Sequence, residues 1–467
     1  MTDGNILGKN TRRGWPRLSL DTLFNAALIA FFFLLPLQTR YIFRAPMEGG
    51  VPYEYGTLSV FLAEILGWIV IGVGLWQGGF RSRIRAGSCT AFRMIIVGLL
   101  IWAFFSIIWA PDKLVAFQAA VRLLEGILLL FVARYTLHVT RYRIFWAFLA
   151  GAIIQAALGI YQFLTQSTLA STLLGMALHD PQMLGISVVE FGAERWLRAY
   201  GGLPHPNVLG GYLVVALAVL LQHKSIKALK HESIAWWIVV PILLTGIFFS
   251  FSRAAWAAAI VVLGYWVIEV LKNICHFDRV PRDECLPALG EEKSHTVHGE
   301  EIPHPDFASG LGMTILYVVL LVVMFRPLVA TRIFFNDSRL EVKSRTERAS
   351  GLRESWGLIK TYPVAGVGIG NYTQAVARAL RPKEPLYTYQ PVHNVPLLIL
   401  SELGIMGLAL FASALYYILK QSRSNALVLS CFVVLMMIDH YLWTLPLGIL
   451  LFWGVLGLST SQKKAWT

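Results

Sequence analysis

Apolar residues fall in runs of roughly 14 to 23 positions, most of them close to the length of a bilayer-spanning helix. Twelve such runs lie at about 22–37, 57–76, 92–109, 114–133, 144–163, 208–221, 234–249, 254–271, 311–326, 394–416, 426–441 and 446–459. Between Ile234 and Leu271 the polar break is only Ser250-Phe251-Ser252-Arg253, so that stretch predicts two helices joined by a hairpin. The pattern predicts an all-α polytopic membrane protein with about twelve transmembrane helices and a large helical loop outside the membrane. Three segments follow. Residues 1–326 hold helices 1–9 with an outer loop at 164–206 and an inner loop at 272–310. Residues 327–392 form the large outer loop, and 393–467 hold helices 10–12 with an inner tail.

Composition agrees. Of 467 residues 56% are hydrophobic and 14% charged, against roughly 25% charged in soluble domains, and the mean hydropathy is +0.60. The net charge of +13 does not point to nucleic acid, because the basic residues gather at span ends. Arg12-Arg13, Arg81/Arg83/Arg85, Arg134/Arg141/Arg143, Lys224/Lys227/Lys230 and Lys463-Lys464 fall on one side, which sets both termini inside. The four cysteines show no disulfide spacing. In the inner loop, Cys275 and Cys285 are too far apart for a tight zinc pair with His295 and His298, so no metal and no cofactor is expected.

The outer loop departs from this charge pattern. Eleven basic residues lie between Arg326 and Lys383. They read either as a solvated face or as an anion site, since guanidinium forks suit phosphate oxygens. Helical spacing over 345–360 puts Leu352, Trp356 and Ile359 on one face, continued by Arg345 and Arg348, with Arg353 pointing away. Gly366 to Asn371 reads as a tight turn, with no helix clearly starting from it.

The run that begins at Val395 has an unusual entry. Asn394 suits an N-cap and Pro396 the first turn, so His393 lies just outside a helix, at the outer surface. The helix dipole there disfavours a protonated imidazole, and a neutral His beside an anionic ligand is poised as a general base. Gly404, Gly407 and Ala414 share a helical face that suits close packing. Arg253, His205 with Asn207, and Asp439 also fall at outer span ends, while Arg122 and Glu125 are spaced to pair within a span.

His393-Asn394, nine residues, Gly404, two residues, Gly407 resembles the ligase signature of the bacterial O-antigen ligase and O-antigen polymerase superfamily. Phe251 to Trp256, Pro204-His205-Pro206-Asn207 to Gly211, and Arg353-Glu354-Ser355-Trp356 leading to Gly366-Val367-Gly368 resemble the same family. The resemblance implies a GT-C-like, metal-independent glycosyltransferase of the bacterial inner membrane. Its donor would be a glycan on undecaprenyl pyrophosphate at the periplasmic face. The acceptor would be a sugar of the lipid A core, or another lipid-linked glycan if the protein is a polymerase. Carried over by position, Arg253 and Arg353 would hold the pyrophosphate and His393 would be the base. Arg345, Arg348, His205, Asn207, Asn394 and Asp439 would line the substrate. The Arg345, Arg348 and Arg353 cluster leaves open which arginine is the true equivalent. A transporter of lipid-linked sugars is the reading from another class, and would call for polar residues at the membrane midplane.

Overall fold

The structure, a computed structural model, describes residues 20–76, 90–134, 138–222, 238–277, 306–334, 338–381, 383–421 and 426–459. Most of the inner loop, including Cys285, His295 and His298, and most of the basic inner clusters lie outside the described residues.

In chain order the helices are α1 (Leu20–Leu34), α2 (Leu62–Trp76), α3 (Thr90–Phe105), α4 (Lys113–Arg134), α5 (His138–Thr165), α6 (Pro206–Gln222), α7 (Val240–Phe249), α8 (Arg253–Phe277), α9 (Asp306–Met324), α10 (Arg326–Ile333), α11 (Arg339–Thr361), α12 (Tyr372–Ala379), α13 (Val395–Gln421), α14 (Ala426–Ile438), α15 (Tyr441–Thr444) and α16 (Pro446–Ser459). Among the described residues three antiparallel two-stranded ribbons decorate the loops: β1 (Arg40–Arg44) with β4 (Leu58–Phe61), β2 (Met47–Glu48) with β3 (Val51–Pro52), and β5 (Val188–Phe191) with β6 (Glu194–Leu197).

The chain is largely helical, but the expectation of about twelve spans is overturned. Among the described residues four helices are long and apolar enough to cross a membrane, at 90–108, 113–134, 140–165 and 395–420. A fifth arises if the pair 312–324 and 326–333, bent by 89°, is one span. Several other apolar runs become helices of 10–17 residues, among them α1, α2, α6, α7, α14 and α16. At 1.5 Å per residue, a 15-residue helix covers only about 22 Å of a core roughly 30 Å thick. Apolar runs overstate helix length because hydropathy ignores where the backbone turns. The run at 57–76, for example, starts as strand β4 and becomes helical only at Leu62.

On the expected small-residue face of α13, Gly407 and Ala414 are buried. Helices also approach closely between α4 and α16, where a Cβ on Gly126 would lie 2.5 Å from Trp453 and one on Gly457 2.5 Å from the Leu130 carbonyl. Arg122 does not pair with Glu125. Its Nε reaches Glu64 Oε1 on α2 at 2.7 Å.

Gly404 has a different task. Its φ of 66° breaks α13, and the freed backbone is gripped by the loop that follows α11. The Val367 N–H donates to the Ser401 carbonyl (3.0 Å), that of Gly368 to Glu402 (2.8 Å), and that of Ile405 to Pro363 (3.0 Å). A Cβ at Gly404 would lie 2.0 Å from the Val364 carbonyl oxygen, and one at Gly366 2.4 Å from that of Glu402. Two glycine motifs far apart in sequence are therefore one interlock. The Gly366–Asn371 stretch is the expected turn, but α12 starts directly after it. Glu402 fixes that start: its carboxylate accepts the backbone N–H groups of Gly370 and Tyr372 and, at 2.9 Å, the indole N–H of Trp443.

Candidate active site

The α7–α8 hairpin turns through Phe251, whose φ of 46° is uncommon for a bulky residue. Its ring is fully buried among Phe163, Phe248 and Trp256, which holds the strained backbone in place. The turn exposes its carbonyls to two buried arginines. Arg332 on α10 donates Nε and Nη2 to the Phe251 carbonyl (3.1 and 2.9 Å), and Arg198 donates Nε to that of Ser250 (2.8 Å).

Arg253, the first residue of α8, donates Nη1 to Glu341 Oε2 at 3.0 Å and Nη2 to Ser344 Oγ at 3.4 Å. Glu341 also pairs with Arg332, so one buried carboxylate bridges two guanidiniums. Removing it would leave both cations without that partner, a loss of the kind that costs about 3–5 kcal/mol. Glu341, Ser344, Arg348, Gly351, Ser355 and Leu358 recur at helical spacing and form the inward face of α11. The expected stripe is thus rotated: Leu352 and Trp356 are 52% and 57% exposed. Arg348 points inward, within electrostatic reach of Asp439, Arg253 and Glu341, and burial pushes its pKa down. Arg345 and Arg353 lie on the exposed side of α11, where Arg353 Nε contacts the Ala349 carbonyl at 3.4 Å.

His393 sits beside this cluster. Asn394 caps α13, its Oδ1 accepting the Leu397 N–H at 2.9 Å, and its Nδ2 donates to the Met437 carbonyl at 3.0 Å. This fixes the chain just before the helix, and α14 ends against it. His393 Nδ1 is 3.5 Å from Asp439 Oδ1, an ion-pair distance longer than a formed hydrogen bond. Asp439 is anchored from two other sides. Its Oδ2 accepts Asn207 Nδ2 at 2.9 Å, and its Oδ1 accepts the His440 N–H at 2.8 Å. Asn207 Oδ1 in turn accepts Arg198 Nη2 at 2.7 Å. The result is a relay of Arg198, Asn207, Asp439 and His393. Burial alone would raise the Asp439 pKa, but the His393 proton and the charges of His393 and His440 outweigh it and hold the carboxyl well below its usual range.

Two further imidazoles flank the relay. The His205 Nδ1 accepts the Asn207 N–H (3.1 Å), which leaves Nε2 to donate to Ser187 Oγ (2.9 Å). Burial and the Arg198 charge push its pKa down to about 3. The His440 ring lies 5.0 Å from that of His393, and its Nδ1 is 2.8 Å from Thr444 Oγ1. Burial, then the charge of His393, pushes His440 down to about 4. His393, Asp439 and His440 have ligand atoms within 4.8 Å of one another, and two imidazoles with a carboxylate are a set that zinc accepts. Those three residues could hold a metal ion.

The fold therefore gathers Arg253, Arg348, His205, Asn207, His393 and Asp439 at one place, and leaves Arg345 and Arg353 on its outer side. Sequence reasoning passed over Arg198 and Glu341. The second was findable, from the polar stripe it shares with Ser344, Arg348 and Ser355; the first carries no pattern, since only the fold brings it to Asn207.

The chain is thus a multi-pass helical membrane protein that collects buried arginines, a carboxylate and an imidazole at one place, an arrangement whose chemistry suits an anionic ligand. Residues 238–412 match the profile of a family described as O-antigen ligase. The match holds Arg253, Glu341, Arg348, His393 and both interlocking glycine motifs, while Arg198, Asn207 and Asp439 lie outside it. Comparison with curated proteins gives no match.

Proposed function

We propose that the protein is a glycosyltransferase that moves a glycan from undecaprenyl pyrophosphate to an acceptor sugar at the periplasmic face of the inner membrane. The observation that carries this reading is His393, backed by a fixed carboxylate and set beside buried arginines. With Nδ1–H directed at Asp439, His393 Nε2 takes the proton of an acceptor hydroxyl. The hydroxyl oxygen bonds to the anomeric carbon while the bond from that carbon to the pyrophosphate oxygen breaks. The pyrophosphate leaves as an anion, and Arg253 and Arg348 stabilise its growing charge, which preorganised donors do without reorganising. Arg345 and Arg353, exposed on the same helix, draw the anionic donor in from longer range. Surrounding membrane lipids and the two lipid-borne substrates are the expected partners.

The test is reconstitution of the full chain with a purified lipid-linked glycan and candidate acceptors. Core-only lipopolysaccharide as the productive acceptor supports a ligase; extension of the lipid-linked glycan itself supports a polymerase. His393→Ala is expected to lower transfer by roughly 10²–10⁴-fold with donor binding retained. Dialysis against EDTA is expected to leave transfer unchanged. A loss restored by zinc would instead assign His393, Asp439 and His440 to a metal. Absence of transfer to either acceptor sinks the reading.

A further inference from the structure

We propose that a second, polar cavity beside this site binds the sugar chain of the acceptor, behind the hydroxyl that His393 deprotonates; this rests on the glycan-transfer reading. The cavity lies between β4, the first turns of α4, the start of α12 and α15. Glu54, Tyr55, Gln118, Arg122, Thr373 and Trp443 are among the residues that line it. It adjoins the relay through two ring contacts: Tyr55 meets His440 at 6.1 Å between centroids, edge to face, and His440 meets His393 at 5.0 Å.

Charge separates the two compartments. On the relay side four arginines, Arg198, Arg253, Arg332 and Arg348, face two carboxylates, Glu341 and Asp439, an excess of cation that suits pyrophosphate. In the cavity, Arg122 is paired with Glu64 at 2.7 Å and Arg40 with Glu54 at 2.5 Å, and Glu402 adds a further carboxyl. No cationic excess is left for a phosphate. What the cavity offers is fixed hydrogen-bonding groups next to the rings of Tyr55, Phe61 and Trp443. Hydroxyls on the rim of a sugar ring meet the first, and its apolar C–H face meets the second; pockets of this mixed character hold uncharged polar ligands in one orientation. The polar groups are also held in advance. Gln118 Nε2 and Arg122 Nη2 both donate to the Ser59 carbonyl, at 2.6 and 2.8 Å, so little side-chain freedom is lost when a ligand enters. The Arg122–Glu64 pair lies nearly halfway along α4, where charge is costly to keep, and a ligand-facing role gives it a use.

Steady-state kinetics of the reconstituted chain test this, with core-only lipopolysaccharide as acceptor in one arm and the lipid-linked glycan in the other. Gln118→Leu is expected to raise the acceptor KM about tenfold in the arm that carries the natural acceptor, with the donor KM unchanged. Thr373→Val and the shape-preserving Gln118→Glu should move it in the same direction, which keeps the test valid if one variant folds poorly. Acceptor binding by His393→Ala protein, with and without Gln118→Leu, gives a readout independent of turnover. Normal acceptor KM and binding in folded variants overturn the proposal while leaving glycan transfer intact. A raised donor KM with normal acceptor KM overturns it by giving the cavity to the donor. Wild-type protein that binds acceptor through Gln118 yet transfers nothing keeps the sugar site and removes the transferase reading.

Discussion

At the C-terminal end of α14 a single carboxylate meets three partners: Asn207, the His440 backbone and His393. In the proposed mechanism its role is positional: facing His393 Nδ1 at 3.5 Å, it favours the tautomer with the proton on that nitrogen. Asp439→Asn keeps the shape but removes the charge, so transfer should fall by about 10²-fold, a size typical of a misplaced reacting group. Because Asp439 acts through His393, the double variant with His393→Ala should be no slower than His393→Ala alone; full additivity would separate the two residues. Proton linkage gives a second outcome at this scale. His440 stays neutral in the fold down to about 4, whereas an unfolded histidine protonates near 6.5. Below about 6.5 the unfolded chain therefore binds more protons, so the stabilisation is complete above that pH and is lost as pH falls toward 4. Thermal melts should show a lower Tm at pH 5 than at pH 7.5, and His440→Gln should narrow the gap. A gap unchanged in that variant would place the titration elsewhere.

Among the elements, α13 and the loop after α11 hold each other by their backbones. Gly404 and Gly366 both have positive φ, and each would drive a Cβ into a carbonyl of the other segment. Left-handed backbone costs an L-residue about 1–2 kcal/mol before any clash is counted. Gly404→Ala is therefore expected to lower the yield of folded protein by several-fold, with the surviving fraction showing near-normal transfer per molecule. Size-exclusion yield and specific activity check this together; a normal yield with lost activity would move Gly404 from scaffold to chemistry. The break in α13 also sets the site, because the same interlock carries α12 and, through Glu402, Trp443.

For the whole molecule the side of the membrane decides the substrate. Every residue of the proposed mechanism lies in or beside the segments that precede α6, α8 and α13 or follow α14, so all must face one compartment. A reporter active only in the periplasm, inserted at exposed Lys383, is expected to be active, and a cytoplasmic reporter at the same place silent. The reverse pattern would separate the site from a periplasmic donor and end the mechanism.

The sequence alone determined that this is a helical membrane protein, because hydropathy and charge asymmetry are local sums that need no fold. It also marked His393 and Arg253, since an N-cap and a polar hairpin are short-range signals. It misjudged span number, since an apolar run does not reveal where the backbone turns, as the strand start of α2 and the break at Gly404 show. It grouped Leu352 and Trp356 with Arg345 and Arg348 on one face of α11 without showing which face is covered. The inward stripe holds Glu341, Ser344, Arg348 and Ser355, because only the neighbouring segments decide which side is shielded. The relay was beyond it altogether. Arg198, Asn207, Asp439 and His393 are brought together from three separate parts of the chain, and only the packing of α6, α13 and α14 brings their donors and acceptors within reach.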